Sequence, residues 1–336
     1  MQLLNGKLSA SDKCNTRQNR LTVFPMRTVI ITNCTNRKRL DGLPPVVLND
    51  ECYSSIEAMA QAWKGQIDER PATLMASSLY VGRSVSDARR VATKLDAKLM
   101  FASTGLGLIE GDQRCPPYNL TVAQDPNSII PRLEKLGVRA SDWWEAVNVT
   151  QSKGSALADL VSQPDIDLVL IALSSNYVQL IGEDLGKIRD TQIDKLRIFT
   201  SRPGIEMLPS HLRRIAMPYD ERLETSTLPG TRNDFPQRAL RHFIEILELS
   251  SAPAEIARKS VSAAMDLLSL AKTTIRRRAS DSEIAYMLEC VWADYQGSST
   301  RLLRYLRDDA LVSCEQSRFR RIWQDIKGQD SIESKA

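Results

Sequence analysis

The sequence predicts an α/β protein, a three-layer sandwich on a four-stranded parallel sheet followed by a helical C-terminal domain. Three observations carry this. Four short runs are β-branched and apolar without polar alternation, as in strands covered on both faces. Helical stretches separate those runs, and from residue 235 onward the chain reads as almost wholly helical.

Residues 1–25 are polar and irregular and read as a flexible N-terminal arm. The first strand, Arg27–Asn33 (RTVIITN), breaks into CTNRKR. Ser54–Trp63 carries Ile56, Met59, Ala60 and Trp63 at helical spacing, and Ser84–Leu95 follows the tight Tyr80-Val81-Gly82-Arg83. The second strand is Lys98–Ser103. Helical segments then follow at Ser128–Leu136, Ser141–Val149 and Ser155–Val161. Asp167–Leu173 is the third strand, Tyr177–Ile188 a helix and Leu196–Ser201 the fourth strand. The stretch from Arg202 to Asp234 has no long period, and an irregular connection of that length is usually functional or a linker. Five helices complete the reading: Pro236–Leu249, Ala254–Ile275, Ser282–Tyr295, Ser299–Asp308 and Glu315–Ile326. The last two flank DALVSCEQ in the proportions of a winged helix or helix-turn-helix. Residues 26–249 are thus expected as the α/β domain and 250–330 as a helical domain that binds nucleic acid.

The 336 residues, 42% hydrophobic and 26% charged, exclude a disordered or fibrous chain. A net charge of +4, from 45 basic and 41 acidic residues, permits a nucleic-acid partner without requiring one. The longest apolar runs, Val29–Ile31 and Val169–Leu173, fall far short of the roughly 20 residues of a membrane span. With no signal-peptide core near Met1, the expectation is a soluble, cytoplasmic protein without a membrane partner. Cys14, Cys34, Cys52, Cys115, Cys290 and Cys314 are scattered and read as free thiols. The first four match no iron–sulfur spacing, and His211 and His242 lie in no ligand cluster. Neither a Gly-Lys-Ser/Thr phosphate loop nor a dinucleotide fingerprint is present. No metal and no cofactor is expected.

In an open α/β sheet the ligand site lies at the carboxyl ends of the strands, so the segments that leave the strands are the first candidates. Ala102–Thr121 passes three glycines and the stiffening Pro116-Pro117, and offers Glu110, Asp112, Arg114, Tyr118 and Asn119. It reads either as a ligand loop or as a solvated loop whose glycines make turns. The first-strand exit offers Asn33, Arg37 and Lys38 to a phosphate or base edge, or is a basic surface turn. Cys34 reads as a nucleophile or, with no histidine near it in sequence, as a packed small residue. Tyr80 and Arg83 supply an aromatic plane and a guanidinium. Tyr219, Asp220 and Arg222, then Arg232 and Asp234, repeat that chemistry in the irregular stretch; Asp234 equally suits a helix cap. His242, beside Phe243, reads as packed. In the C-terminal third, Arg276, Arg277 and Arg278 form one block, Arg301, Arg304 and Arg307 recur at helical spacing, and Arg318, Arg320 and Arg321 form a third block. Such rows straddle phosphates or simply solvate a helix face.

VIITNCTNRKR, followed by SSLYVGRSVSDARRVATKLDAKLMFASTGLGLIEGDQRCPPYNL, resembles a bacterial family of α/β domains. Its pattern is a strand ending in Cys-x-x-x-Lys/Arg, a Leu-Tyr-x-Gly-Arg helix start and a Pro-Tyr-Asp/Asn turn. The same pattern is similar to the uracil-DNA glycosylase-like domain found beside archaeosine transglycosylase machinery. The resemblance covers residues 27–121 and, more thinly, the chain to 245. It implies a four-stranded parallel sheet between helices. It also implies a loop carboxylate followed by an aromatic that packs on an extruded base, for which Asp112 and Tyr118 are the nearest match. The sequence departs from the family here, because a compact Asp-Pro-Tyr is spread over seven residues and no His-Pro-Ser-type motif occurs. A narrower resemblance is to bacterial anti-phage DNA glycosylases that remove hypermodified bases such as glucosylated hydroxymethylcytosine.

The function these features imply is a DNA glycosylase that hydrolyses the N-glycosidic bond of a modified base and leaves an abasic site. Asp112, then Asp220, is the expected carboxylate. Asn33, Asn119 and Arg83 are expected to read the base, and Arg37, Lys38, Arg222 and Arg232 to hold phosphate or a sugar adduct. Tyr80, Tyr118 or Tyr219 would supply the stacking platform. Two alternatives share the crevice: a base-exchanging transglycosylase or nucleoside deoxyribosyltransferase with a covalent carboxylate intermediate, and a non-catalytic DNA sensor.

Overall fold

A computed structural model describes residues 26–40, 42–49, 51–154, 156–270 and 275–333, with side chains through residue 328. The expected arm over residues 1–25, and Cys14 within it, lies outside the described residues. Among these residues no helix is long and apolar enough to cross a membrane.

The β-branched runs form strands because both faces of each are buried. Thr28–Asn33 (β1) is buried at every position and lies at the centre of the sheet. Around it stand Lys98–Ser103 (β2), Gly107–Glu110 (β3), Leu168–Ala172 (β4) and Leu196–Phe199 (β5), in the spatial order β3-β2-β1-β4-β5. β1 pairs in parallel with β2 and β4, with Ile30 opposite Leu99 on one side and Leu170 on the other, and β5 continues the parallel order. The four parallel strands are those expected. A fifth strand, β3, is antiparallel to β2 and comes from the segment read as a loop. Its signal is weak because Gly107, at φ +64°, belongs both to the reversal and to the strand.

Successive strand residues point to opposite faces, and each face has its own helices. Val29, Ile31, Val169 and Ile171 meet Met59 and Trp63 of α1 (Ile56–Asp68). Ile30, Leu168 and Leu170 meet Val91 and Ala92 of α2 (Arg83–Leu95) on the other. The first face is completed by Trp143, Trp144 and Val147 of α3 (Ala140–Thr150) and by Tyr177 and Val178 of α4 (Ser175–Leu180). The second is completed by Ala239 and Leu240 of α5 (Phe235–Arg241). Helix α1 begins where the Ser55 side chain accepts the Ala58 N–H, and α2 ends at Asp96 in the left-handed region.

Helix α6 (Ala254–Asp266), expected with the C-terminal domain, belongs to the α/β unit: Ala257, Val261 and Met265, four residues apart, bury one stripe in the same core as Phe243. The chain accordingly divides at 270/271 instead of 249/250. The stretch after Arg202 is also more ordered than its sequence suggests. It holds the helix Arg202–Met207 and three 3-10 turns, Ser210–Ile215, Glu221–Thr225 and Arg232–Asp234.

The second unit, residues 271–336, has three helical segments among its described residues: α7 (Asp281–Val291), α8 (Ser299–Arg304, extended by a π turn over Tyr305–Asp309) and α9 (Gln316–Glu333). Ile284, Leu288, Leu302, Leu306, Phe319 and Ile322 form its core. A reciprocal Ser280–Glu283 capping box starts α7.

Candidate functional site

From β1 the chain crosses to β2 on one side and later returns to β4 on the other, so the connections diverge at the carboxyl ends of β1 and β4. That divergence opens a crevice in an open parallel sheet. A cavity of about 480 Å³ lies there, lined by Asn33, Cys34, Thr35, Asn36 and Arg37 after β1, by Ser174–Tyr177 after β4, by Ser201 after β5, and by Arg232 and Asn233.

Its floor is fixed by hydrogen bonds. Asn33 is buried; its Nδ2 donates to the Cys34 carbonyl (3.0 Å) and its Oδ1 accepts from Gln237 Nε2 (3.0 Å). The fully buried Gln237 amide also reaches Thr32 Oγ1 and the Ala172 carbonyl, both at 2.9 Å, and so ties β1 to β4 beneath the crevice. Cys34 Sγ lies 2.9 Å from the Tyr177 hydroxyl, and burial pushes that phenol well above its ordinary pKa. Neither histidine reaches Cys34: His211 bonds the Ile188 carbonyl and His242 the Tyr219 hydroxyl. Cys34 is therefore packed, one of the two readings of the sequence. Above this floor Arg37 and Arg232 are exposed and make no ion pair among the described residues.

The motif residues of strand exit and turn converge just beside the crevice, as core. Tyr80 and Tyr118 are fully buried, with hydroxyls 2.9 Å apart, and Ser103 Oγ is 2.6 Å from Tyr118. Lys38 Nζ lies 4.4 Å from the Tyr118 ring centroid. Burial lowers the Lys38 pKa, while nearby Cys34 and Asp125 act the other way. Tyr80 and Tyr118 thus offer no exposed face for a base, and Tyr219 is buried as well, 3.1 Å from His242 Nδ1. The expected stacking platform is corrected on this point: the three rings fill the interior.

The expected carboxylates are also displaced. Because β3 runs back along β2, pairing Glu110 with Met100, the exposed Asp112 sits at the amino end of β2, the opposite end of the sheet from the crevice. Asp220 caps the 3-10 turn Glu221–Thr225 and is held below the ordinary carboxylate range by hydrogen bonds from Arg222, which also reaches Asp266 of α6. Asp220 and Arg222 are therefore a brace and do not line the crevice. Asp234 is buried, accepts the Thr231 N–H (2.7 Å) and lies 3.3 Å from Arg238 and 3.9 Å from Arg83; its side chain closes the 3-10 turn Arg232–Asp234 and makes no capping bond to α5, the helix it was expected to cap. Arg83 donates to the Pro229 carbonyl, and Asn119 pairs with Val47 in a two-residue strand.

Of the expected ligand residues, Asn33, Arg37 and Arg232 are brought together. The sequence reading missed Asn176, Ser201 and Asn233, although the strand-exit rule applied to β4 and β5 points to the first two. It also missed Asp125, whose Oδ2 accepts from Asn36 Nδ2 (3.3 Å) and whose Oδ1 accepts the Asn127 N–H (2.9 Å). Asp125 is the carboxylate bonded to a crevice residue, and its Asp-Pro-Asn turn was a legible signal.

In the second unit the arginines divide. Arg276 pairs with Asp308, Arg277 with Glu283, and Arg318 and Arg321 both with Asp281. Arg278, Arg301, Arg304 and Arg320 make no ion pair among the described residues, where no group of three or more His, Cys, Asp or Glu is placed to hold a metal either. No protein-family model matches the chain, and no curated protein or solved structure matches it.

Proposed function

We propose that the crevice receives one nucleotide of DNA and that the protein is a DNA glycosylase, removing a modified base to leave an abasic site in defence against phage. The observation that carries this reading is the meeting, at the carboxyl ends of β1 and β4, of two unpaired guanidinium groups with the hydrogen-bonded Asn33 amide and the exposed Asn233 amide. Arg37 and Arg232 suit the phosphates that flank an extruded nucleotide, and Asn33 and Asn233 suit the polar edges of its base. A cavity of about 480 Å³ with polar walls also accommodates a sugar adduct on the base.

Cleavage of the glycosidic bond builds positive charge on the deoxyribose, which a fixed carboxylate stabilises while it orients water. Asp125, held by Asn36 and Asn127, takes that role in this reading in place of Asp112. The unpaired Arg278, Arg301, Arg304 and Arg320 of the C-terminal unit supply sequence-independent phosphate contacts.

One observation favours the non-catalytic sensor instead: no carboxylate is among the residues that line the cavity. The deciding experiment incubates the full chain with unmodified DNA and with phage DNA carrying glucosylated hydroxymethylcytosine, and measures free base and abasic sites. Base release from the modified DNA supports the glycosylase. Tight, salt-sensitive binding that leaves every DNA intact rejects it in favour of the sensor.

A further inference from the structure

A second cavity, of about 620 Å³, shares no residue with the crevice and lies along β3, the edge strand of the sheet. An edge strand normally exposes unpaired N–H and C=O groups. Here side chains close it: the Leu108 N–H donates to Asn148 Oδ1 (3.0 Å), Lys153 Nζ donates to the Leu108 carbonyl (2.6 Å), and Gln151 Nε2 donates to the Leu106 carbonyl (2.7 Å). The cavity therefore does not serve to add a strand, and its wall is polar and fixed.

The charge in it is one-sided. Lys64, Arg70, Arg114 and Lys153 line it against a single carboxylate, Asp68, which already pairs with Lys64. Arg114 is held by the Thr73 carbonyl (2.8 Å) and Lys153 by Leu108, whereas exposed Arg70 has no ion-pair partner among the described residues. Beneath it Trp63 and Val147 are buried, with the Trp63 indole N–H donating to the Gly105 carbonyl, and half-buried Ile67 is the apolar side chain left partly open. Burial lowers the Lys153 pKa, a cost that a bound anion offsets.

We propose that this cavity is a separate binding site for a phosphate ester that carries a flat ring, a ligand of nucleotide size. The cations take the phosphate, and half-buried Ile67 gives the ring its apolar contact. Such an ester comes from a free nucleotide or from a strand of DNA, and the test distinguishes the two.

Calorimetric titration of the full chain with AMP, ATP, inorganic phosphate and a short single-stranded oligonucleotide provides that test. Expected is sub-millimolar binding of a nucleotide or the oligonucleotide, with inorganic phosphate weaker. Arg70→Glu and Lys153→Gln should each weaken mononucleotide binding by about tenfold or more, and Arg232→Ala, in the crevice, should retain it. Preference for the mononucleotides assigns a free ligand, and oligonucleotide binding that Arg70→Glu weakens beyond the loss in Arg232→Ala assigns a DNA strand. Arg70 is exposed, so its variant tests the site even if Lys153→Gln fails to fold. The proposal is overturned if no nucleotide and no oligonucleotide binds the wild-type chain at millimolar concentration, or if Arg70→Glu leaves binding intact.

Discussion

Arg238→Met should destabilise the α/β unit by about 3 kcal/mol, the low end of the cost of breaking a buried ion pair. The guanidinium is fully buried and donates to both oxygens of Glu224 (2.7 and 3.1 Å) and to the carbonyls of Leu228 and Thr231, while Nε sits 3.3 Å from Asp234. Methionine keeps much of the stem volume but removes every donor. Asp234, 7% exposed, would keep only the Thr231 N–H and Arg83 at 3.9 Å. Glu224, at 27% exposed, can turn toward water, which places the cost at the low end. Urea unfolding followed by the fluorescence of Trp63, Trp143 and Trp144, all in this unit, measures the loss. A fall in Tm of roughly 6–12 °C should accompany it. A loss below about 1 kcal/mol would refute the reasoning, because it would mean that apolar packing replaces the network without penalty.

Three further outcomes are expected. Gly107→Ala should cost about 2 kcal/mol or more in the same unfolding assay, since φ is +64° there and a Cβ would meet Asn148 Oδ1 at 2.3 Å, displacing the group that caps Leu108; unchanged stability would contradict that. Burial depresses the His242 pKa below its ordinary 6.5, so the unfolded chain binds the proton more readily. The stability this gives is present above about pH 6.5 and is lost as pH falls through the depressed value, and His242→Phe should flatten the stability profile over that window. Replacing Arg278, Arg301, Arg304 and Arg320 together by alanine should reduce the salt dependence of the proposed DNA binding, by roughly 0.9 in log–log slope for each arginine that touches a phosphate. The paired Arg318 and Arg321 should matter little, and equal effects of the two sets would contradict the division between them.

The four parallel strands were legible because burial on both faces demands unbroken apolar runs, and Val29–Ile31 and Val169–Ile171 carry that demand in their sequence. β3 was not, since Gly107-Leu108-Ile109-Glu110 is short and opens on a glycine needed for the reversal. That one hairpin also explains the misplaced carboxylate. Reading outward from β2 assumes that the chain stays at the carboxyl end, whereas β3 carries Asp112 back along the whole strand. Tyr80 and Tyr118 illustrate a different limit, because sequence reveals an aromatic residue but not that its hydroxyl is satisfied inside by Ser103 and a second tyrosine. Asn33, Arg37 and Arg232 were found because they leave a strand or a turn at the crevice. Asp125 was missed because its place there depends on a contact with Asn36, 89 residues away in sequence.

The proposed placement of base release at the crevice is tested most directly by its rate on glucosylated phage DNA, compared between Asp125→Asn and Asp112→Asn. Expected is a loss of about 100-fold or more for Asp125→Asn, the scale of a positioned acid–base group, with Asp112→Asn close to wild type. A silent Asp125→Asn together with an inactive Asp112→Asn would contradict the assignment of the reaction to the crevice between β1 and β4.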